Sequence, residues 1–150
     1  MDALQRLQAT LHNEIPLSKA IGIIVGTYDN GCLTLRAPLG PNINHKDTAF
    51  AGSLNALVTL AGWSLIWLVL DTAGLSGKIV IQDSTIQYLR PVTQDFVARC
   101  CQPEAGDLAR FLTMLRRKGR ARLGLQAEIR EADACAVSFS GRYVVQLTQP

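Results

Sequence analysis

The last third of the chain alternates apolar and polar residues. In "RARLGLQAEIRE" and "CAVSFSGRYVVQL" most of the apolar residues share one parity, which is the period of a strand with one buried face. Strand patterns also occur in "IGIIVGTYDNGCLTLRAPL", with a hairpin turn at Asp29-Asn30-Gly31, and in "DFVARCC". In "SGKIVIQDSTIQYLRPV" the buried parity switches, so we predict a bulge near Gln82–Ser84. About six antiparallel strands therefore need cover for their apolar faces.

Two segments show the period of an amphipathic helix. One opens the chain and ends before Pro16, and the other runs from Glu104 to Lys118. The apolar residues that recur at helical spacing are Leu4, Leu7 and Leu11 in the first, and Leu108, Phe111, Leu112 and Leu115 in the second.

Between these patterns, residues Ala49 to Leu70 form a run of 22 without an ionisable side chain. About 20 apolar residues can span a bilayer, and a helix that is apolar all round is either membrane-spanning or buried. The predicted strands supply the cover, so we expect a soluble α+β domain over residues 1–150 in which a curved antiparallel sheet wraps this helix. Lys46 and Lys78 flank both ends of the run, which gives no positive-inside asymmetry. A small membrane-anchored protein is the alternative, and it depends on the apolar run alone.

The amino-acid composition is consistent with a soluble α+β domain. An apolar fraction of 48% and a charged fraction of 18% are typical of a globular domain, and a net charge of +3 gives no strong case for nucleic acid or membrane partners. The exception is "RRKGRAR", which holds five cations in seven residues; it is either a solvated helix end or a phosphate-binding site. The four cysteines show no metal-ligand spacing and the first residues lack the apolar core of a secretory signal, so we expect reduced thiols in a cytoplasmic protein without a metal.

Four segments together resemble one known family. "PLSKAIGI", "APLGPNINHKDTAFAGSLNALVTLAGW", "IQYLRPV" and "RKGRAR" are similar to the thioesterase family typified by the YiiD C-terminal domain, over roughly Ile15 to Leu147. "NINHKDTAFAGS" is the most specific element, although Ala51-Gly52 stands where that family leads us to expect a glycine pair.

The resemblance implies a fold, an assembly and a reaction. The fold is the hotdog fold, a curved antiparallel sheet around one long apolar helix, here with additional shorter helices. The assembly is a homodimer at least, with a tetramer left open and active sites at the subunit boundary. The reaction is hydrolysis of acyl-CoA or acyl-carrier-protein thioesters to free acid and thiol, with coenzyme A as part of the substrate and no separate cofactor.

The catalytic candidates lie around the start of the apolar helix. The unpaired N–H groups near Gly52 can donate to the oxyanion of the thioester, although Gly52 can equally serve helix packing. Many hotdog thioesterases place a carboxylate two turns into this helix, but here that position is Thr59, and Asp71 lies about 18 Å farther along the axis. The remaining candidates are Asn44, His45 and Asp47. Asn44 can hold the water or the carbonyl, His45 is either the general base or a structural hydrogen-bonder, and Asp47 or Thr48 alternatively caps the helix. Thr59 stays among the catalytic residues expected around the reacting carbonyl.

The substrate-binding candidates fall into two groups. Small and polar residues at Gly52, Asn55, Thr59 and Gly62 form a helix stripe that faces the ligand channel or a partner subunit, and Trp63 is either the floor of the acyl pocket or core. Arg90 and the basic run offer cations for the coenzyme phosphates, although Arg90 can instead pair with Asp95. The full set is Phe50, Ala51, Ser53, Asn55, Trp63, Arg90, Arg117, Lys118 and Arg120.

Two functions follow from these residues. The polar "NINHKD" cluster favours a thioester hydrolase, whereas the missing helix carboxylate favours a non-catalytic module that binds acyl thioesters.

Overall fold

The computed structural model describes residues 1–148. The elements in chain order are α1 (Ala3–Glu14), α2 (Pro16–Ile21), β1 (Ile24–Asp29), β2 (Cys32–Ala37), a 3₁₀ turn (Gly40–Asn42), α3 (Ala51–Thr72), β3 (Gly77–Tyr88), β4 (Phe96–Cys101), α4 (Ala105–Lys118), β5 (Arg120–Glu131) and β6 (Ala134–Leu147).

The strands form one antiparallel sheet in the order β1-β2-β4-β5-β6-β3. Helix α3 packs against five of the six strands, and the side chains of Leu57, Val58 and Ala61 are fully buried between helix and sheet. This is the hotdog arrangement that the sequence predicts. One face of the sheet can pack on α3 because buried and exposed residues largely alternate along its strands, most clearly in β5 and β6.

Helix α3 is long and apolar enough to cross a membrane, yet 61% of its apolar 18-residue stretch is buried inside the fold. Its hydropathy is therefore that of a core helix, and the membrane-anchor alternative is not needed to explain it.

Local predictions hold at the turns. Asn30 and Gly31 both have positive φ, 51° and 76°, as a two-residue hairpin loop of type I′ requires. The pairing of β3 with β6 shifts register between Ile81 and Asp83, which confirms the bulge. The sequence pattern missed α2, a six-residue helix that begins at Pro16, because a short helix with Pro at its first position leaves little periodicity.

The prediction of four reduced cysteines is wrong for one pair. Cys32 and Cys101 are opposite each other in the β2–β4 ladder and form a disulfide with an S–S distance of 2.12 Å. Sequence spacing does not reveal this pair, because 69 residues separate the two cysteines. Cys100 points to the opposite, buried face, where desolvation raises the pKa of its thiol to about 12, and Cys135 is a half-buried free thiol.

The sheet is open on its β3 side. All twelve residues of β3 lie on the outer edge, where they pair only with β6 among the described strands. The strand carries exposed apolar side chains, with Val80 58% and Tyr88 46% accessible. A long, apolar, unpaired edge of this kind is a surface for pairing with another chain.

Candidate functional site

The loop before α3 is organised by Asn44. Its Oδ1 accepts hydrogen bonds from the backbone N–H groups of Lys46 (2.8 Å) and Thr48 (3.2 Å). Its Nδ2 donates to Thr48 Oγ1 (2.8 Å) and to the carbonyl oxygen of Ala49 (3.4 Å). All of its amide hydrogen-bonding capacity is thus used inside the loop. Asn44 holds the loop in shape, and its side chain is not free to hold a water.

A second asparagine, which the sequence reasoning missed, ties the loop to the fold. Asn42 is buried, and its Nδ2 donates to the carbonyl oxygens of Ile21 (2.9 Å) and Pro38 (2.7 Å). Its own carbonyl accepts the N–H of Phe50 at 2.7 Å, and the N–H of Ala49 donates to Val92 at 2.8 Å. These bonds fix the start of α3 against the sheet. The only signal for Asn42 in the sequence is the repeated asparagine of "NINH".

The first turn of α3 has no side-chain cap, so neither Asp47 nor Thr48 acts as one. The carbonyl of Phe50, the N-cap residue, accepts the N–H groups of Ser53 (3.0 Å) and Leu54 (3.1 Å). The N–H groups of Ala51 and Gly52 have no partner within residues 1–148. Two free donors therefore stand at the positive end of a 22-residue helix.

A cavity of about 310 Å³ lies beside Ala51, the first of these two donors. Ala51 and Leu54 line it from α3, Asn44 lines it from the loop, and Arg90 follows the end of β3. The remaining lining residues are mostly apolar: Thr48, Ala49, Tyr88, Leu89, Pro91 and Val92. Free N–H donors next to an apolar wall suit a carbonyl group that carries an acyl chain.

Two aromatic side chains frame this first turn. The Phe50 ring lies directly over Gly52, so a Cβ at Gly52 would be 3.0 Å from Phe50 Cδ2. The Tyr88 hydroxyl donates to the carbonyl of Ala51 at 3.3 Å. Tyr88 is a further residue that the sequence reasoning left out of the site, although it belongs to the "YLRPV" motif.

His45 and Asp47 project from the exposed side of the loop. Both are exposed, and Asp47 has a left-handed backbone with φ 61°. No hydrogen bond of the His45 ring occurs within the described residues, whereas the chain's other histidine, His12, contacts the carbonyl of Ile23 at 2.9 Å. Neither His45 nor Asp47 lines the cavity. No group of three His, Cys, Asp or Glu side chains in the described chain is placed to hold a metal ion.

One stripe of α3 is left half-buried by its own chain. It runs through Asn55, Thr59, Trp63 and Trp67, at steps of four residues. Thr59 Oγ1 donates to Asn55 Oδ1 at 3.1 Å. The predicted stripe is wrong at Gly62, which is buried against the Tyr143 ring of β6. The Tyr143 hydroxyl donates to the carbonyl of Thr59 at 2.7 Å, and burial raises the pKa of that hydroxyl.

Trp63 lies away from the helix start. It is eleven residues beyond Gly52, or about 16 Å along the axis. Its Nε1 donates to the carbonyl of Ile79 at 3.1 Å. With Trp67 and Lys78 it lines a separate cavity of about 340 Å³. Trp63 therefore does not form the floor of the cavity at Ala51.

The predicted phosphate-binding cations lie in two separate places. Arg90 lines the cavity and forms no ion pair with Asp95 within the described residues; Asp95 Oδ1 instead accepts the N–H of Leu39 at 2.8 Å. Arg117, Lys118 and Arg120 are exposed at the opposite end of the sheet. Arg120 begins β5. Ile129, nine residues farther along the same strand, pairs with Val137 near the cavity, so Arg120 lies roughly 30 Å from the cavity end of the sheet.

A larger cleft of about 640 Å³ lies at the outer face of the sheet, lined by residues such as Arg99, Gln126 and Ser138. We assign the site to the smaller cavity because that one is lined by Ala51, beside the unpaired N–H groups. No helix residue in the described part of the chain lines the outer cleft, which lies where β4 and β5 pair at three positions.

Fold and site together define a hotdog-fold protein of the thioesterase type, with an open helix N-terminus beside an apolar cavity. The chain belongs to the family described as "Putative thioesterase (yiiD_Cterm)", which matches residues 4–147.

Solved structures agree with this assignment. A "putative thioesterase" from Shewanella oneidensis is 34% identical with a TM-score of 0.88, and the match covers 97% of each chain. A protein of unknown function from Chlorobaculum tepidum is 31% identical with a TM-score of 0.92, over 96% of this chain and 94% of that one. A Pseudomonas aeruginosa protein described as a "Probable Thioesterase" shares the fold at 19% identity and a TM-score of 0.80, over 96% of this chain and 95% of that one.

Proposed function

We propose that this protein hydrolyses acyl thioesters of coenzyme A or of acyl carrier protein, with the thioester carbonyl bound at the start of α3. The observation that carries the proposal is the pair of unpaired N–H groups at Ala51 and Gly52, of which Ala51 lines the cavity. As water adds to the carbonyl carbon, charge develops on its oxygen and these donors stabilise it. A single donor of this kind contributes about 3–4 kcal/mol in well-studied hydrolases.

The attacking water must lose a proton to a base. The C–S bond then breaks, and the thiolate leaves with the electron pair of that bond. We propose His45 as the general base, acting from the rim of the cavity. It directly follows Asn44, which lines the cavity, and its ring makes no hydrogen bond within the described residues, so it is free to turn toward the attacking water. Asn44 keeps the loop that bears His45 in place through its four hydrogen bonds. Asp47 is the second candidate base, two residues farther along the same loop.

We further propose that two copies pair through β3. Antiparallel pairing of the two β3 edges would continue the sheet and cover the exposed Val80 and Ile81. It would also bring a second chain over the half-buried stripe at Asn55 and Thr59. A tetramer of such dimers is compatible with this arrangement. We place the protein in the cytoplasm, where coenzyme A and carrier-protein thioesters occur, and propose no cofactor beyond the substrate.

A non-catalytic module that binds acyl thioesters is the second candidate. It is favoured by the cavity lining itself, since no carboxylate or imidazole is among the residues that form it. Such a module would bind the thioester with the same N–H groups but release no thiol.

Thiol release from acyl-CoA substrates of graded chain length decides between the two. We expect turnover, and we expect His45→Gln to lower kcat about 10²-fold or more with little change in KM. His12→Gln is the matched control and should keep kcat within about twofold, because His12 lies on α1 and bonds only to Gln8 and Ile23. Binding of acyl-CoA without thiol release at every chain length would establish the binding module instead.

A further inference from the structure

The basic run is exposed to solvent at the junction of α4 and β5. Its five cations all point to solvent, three on the last turn of α4 and two on the outer side of β5. Gly119 has φ 74°, and this left-handed residue ends the helix and turns the chain directly into the strand. We call this surface the cationic face: Arg116, Arg117, Lys118, Arg120 and Arg122.

The cationic face concentrates positive charge. The whole chain has a net charge of +3, so the remainder without these five residues is net negative. None of the five forms an ion pair within the described chain. The charge of Arg122 helps to lower the pKa of Asp83, but that carboxylate is already paired with Arg142. Cations favour a helix C-terminus, which accounts for residues on α4 but not for Arg120 and Arg122 on the strand.

The shape of the surface indicates a macromolecule. Of the five cations only Arg122 borders one of the main cavities, whereas small ligands bind in concave sites. The segment 116–122 has no aromatic side chain on which nucleic-acid bases could stack. The exposed large apolar side chain beside it on α4 is Met114, and a single methionine gives little apolar area to insert into a lipid surface.

We propose that the cationic face docks the acidic surface of acyl carrier protein, so that the carrier-bound thioester is the preferred substrate. This inference rests on the proposed function, whose substrate it narrows. In the proposed β3-paired dimer the start of one β3 lies beside the end of the other. Lys78, Gln146 and Arg120 are neighbours across β3, β6 and β5. Arg120 of one subunit is then about three strand spacings, roughly 15 Å, from Tyr88 at the other subunit's cavity. A carrier docked there can extend its flexible arm to that cavity.

Three substrates with the same acyl group test the proposal: acyl-pantetheine, acyl-CoA and acyl carrier protein. We compare wild type with Arg117→Glu/Arg120→Glu and with the neutral pair Arg117→Gln/Arg120→Gln, which protects against a folding defect from acids at a helix end. The ratio of kcat/KM for acyl carrier protein to kcat/KM for acyl-pantetheine should fall at least tenfold in the Glu pair and less in the Gln pair. Arg36→Glu, on the outer face of β2, is the control and should keep this ratio within about twofold.

The pattern across substrates decides the outcome. A loss confined to acyl carrier protein supports the inference. An equal loss with acyl-CoA would show that these residues bind the coenzyme phosphates, and a loss with all three substrates would show a structural role; either result overturns it. If no substrate is hydrolysed, the proposed function fails, and titration with fluorescently labelled carrier protein at low salt still tests the docking. Binding that is lost in the Glu pair supports the inference, and absent binding overturns it.

Discussion

Replacing Gly52 or Gly62 by alanine adds the same methyl group to α3 next to two very different neighbours. At Gly62 the new Cβ would overlap the Tyr143 hydroxyl and lie 2.7 Å from its Cε1 atom. That ring has no room to move, because Tyr143 is fully buried and its hydroxyl is bonded to Thr59. At Gly52 the Cβ would meet the Phe50 ring, which is 54% exposed and can swing away.

The magnitudes follow from these contacts. In Gly62→Ala, overpacking costs about 1–3 kcal/mol and loss of the buried Tyr143 hydrogen bond costs about 1–3 kcal/mol. The better helix propensity of alanine offsets about 1 kcal/mol of this. We therefore expect Gly62→Ala to lower the free energy of unfolding by about 3 kcal/mol and the Tm by roughly 6–12 °C. Gly52→Ala should change stability by less than about 1 kcal/mol, yet its methyl group and the displaced ring crowd the free N–H groups, so kcat/KM should fall about tenfold or more.

Urea denaturation and thioester hydrolysis, measured on both variants, test this reasoning. Gly106→Ala on α4 is the matched control, because its Cβ would contact nothing closer than Arg110 Nη1 at 3.5 Å. It should keep activity and gain at most about 1 kcal/mol. Equal destabilisation by Gly52→Ala and Gly62→Ala would refute the packing argument. Full activity in Gly52→Ala would show that the carbonyl does not bind at this turn.

Two further predictions concern the β3 edge and the cysteines. Ile81→Lys places a charge in the proposed dimer interface and should shift the mass in light scattering from twice 16.3 kDa to 16.3 kDa; a wild-type monomer, or a variant that stays dimeric, would contradict the pairing. Iodoacetamide at pH 8 should label only Cys135 before reduction and Cys135, Cys32 and Cys101 after it, while Cys100, with a pKa of about 12, reacts only on unfolding. Reduction should lower stability by about 2–4 kcal/mol, since the bridge closes a long loop, and an unchanged Tm would show that the bridge contributes nothing.

Features encoded by local spacing were readable from the sequence. The turn at Asn30-Gly31, the β3 bulge and α4 all appear as a turn signal, a switch of parity and a helical period, because each depends on a few neighbouring residues. The proposed site at the start of α3 also comes from the sequence, since an apolar helix with a polar segment before it leaves N–H groups open to a ligand.

Roles set by contacts between distant segments could not be read in this way. Asn44 was a candidate for holding water, but its bonds to Thr48 and Ala49 exist only once the loop has its fold. The repeated asparagine gave no sign that Asn42 is buried between Ile21 and Pro38.

The amino-acid sequence by itself determined the six strands, the apolar helix they enclose and the family to which the chain belongs. The tertiary structure decided which side chains are free to act: it joined Cys32 to Cys101, buried Gly62 against Tyr143 and carried the basic run to the far end of the sheet. The physical reason is range, because periodicity reflects burial over a few residues, whereas strand order and register bring together residues that are far apart in the chain.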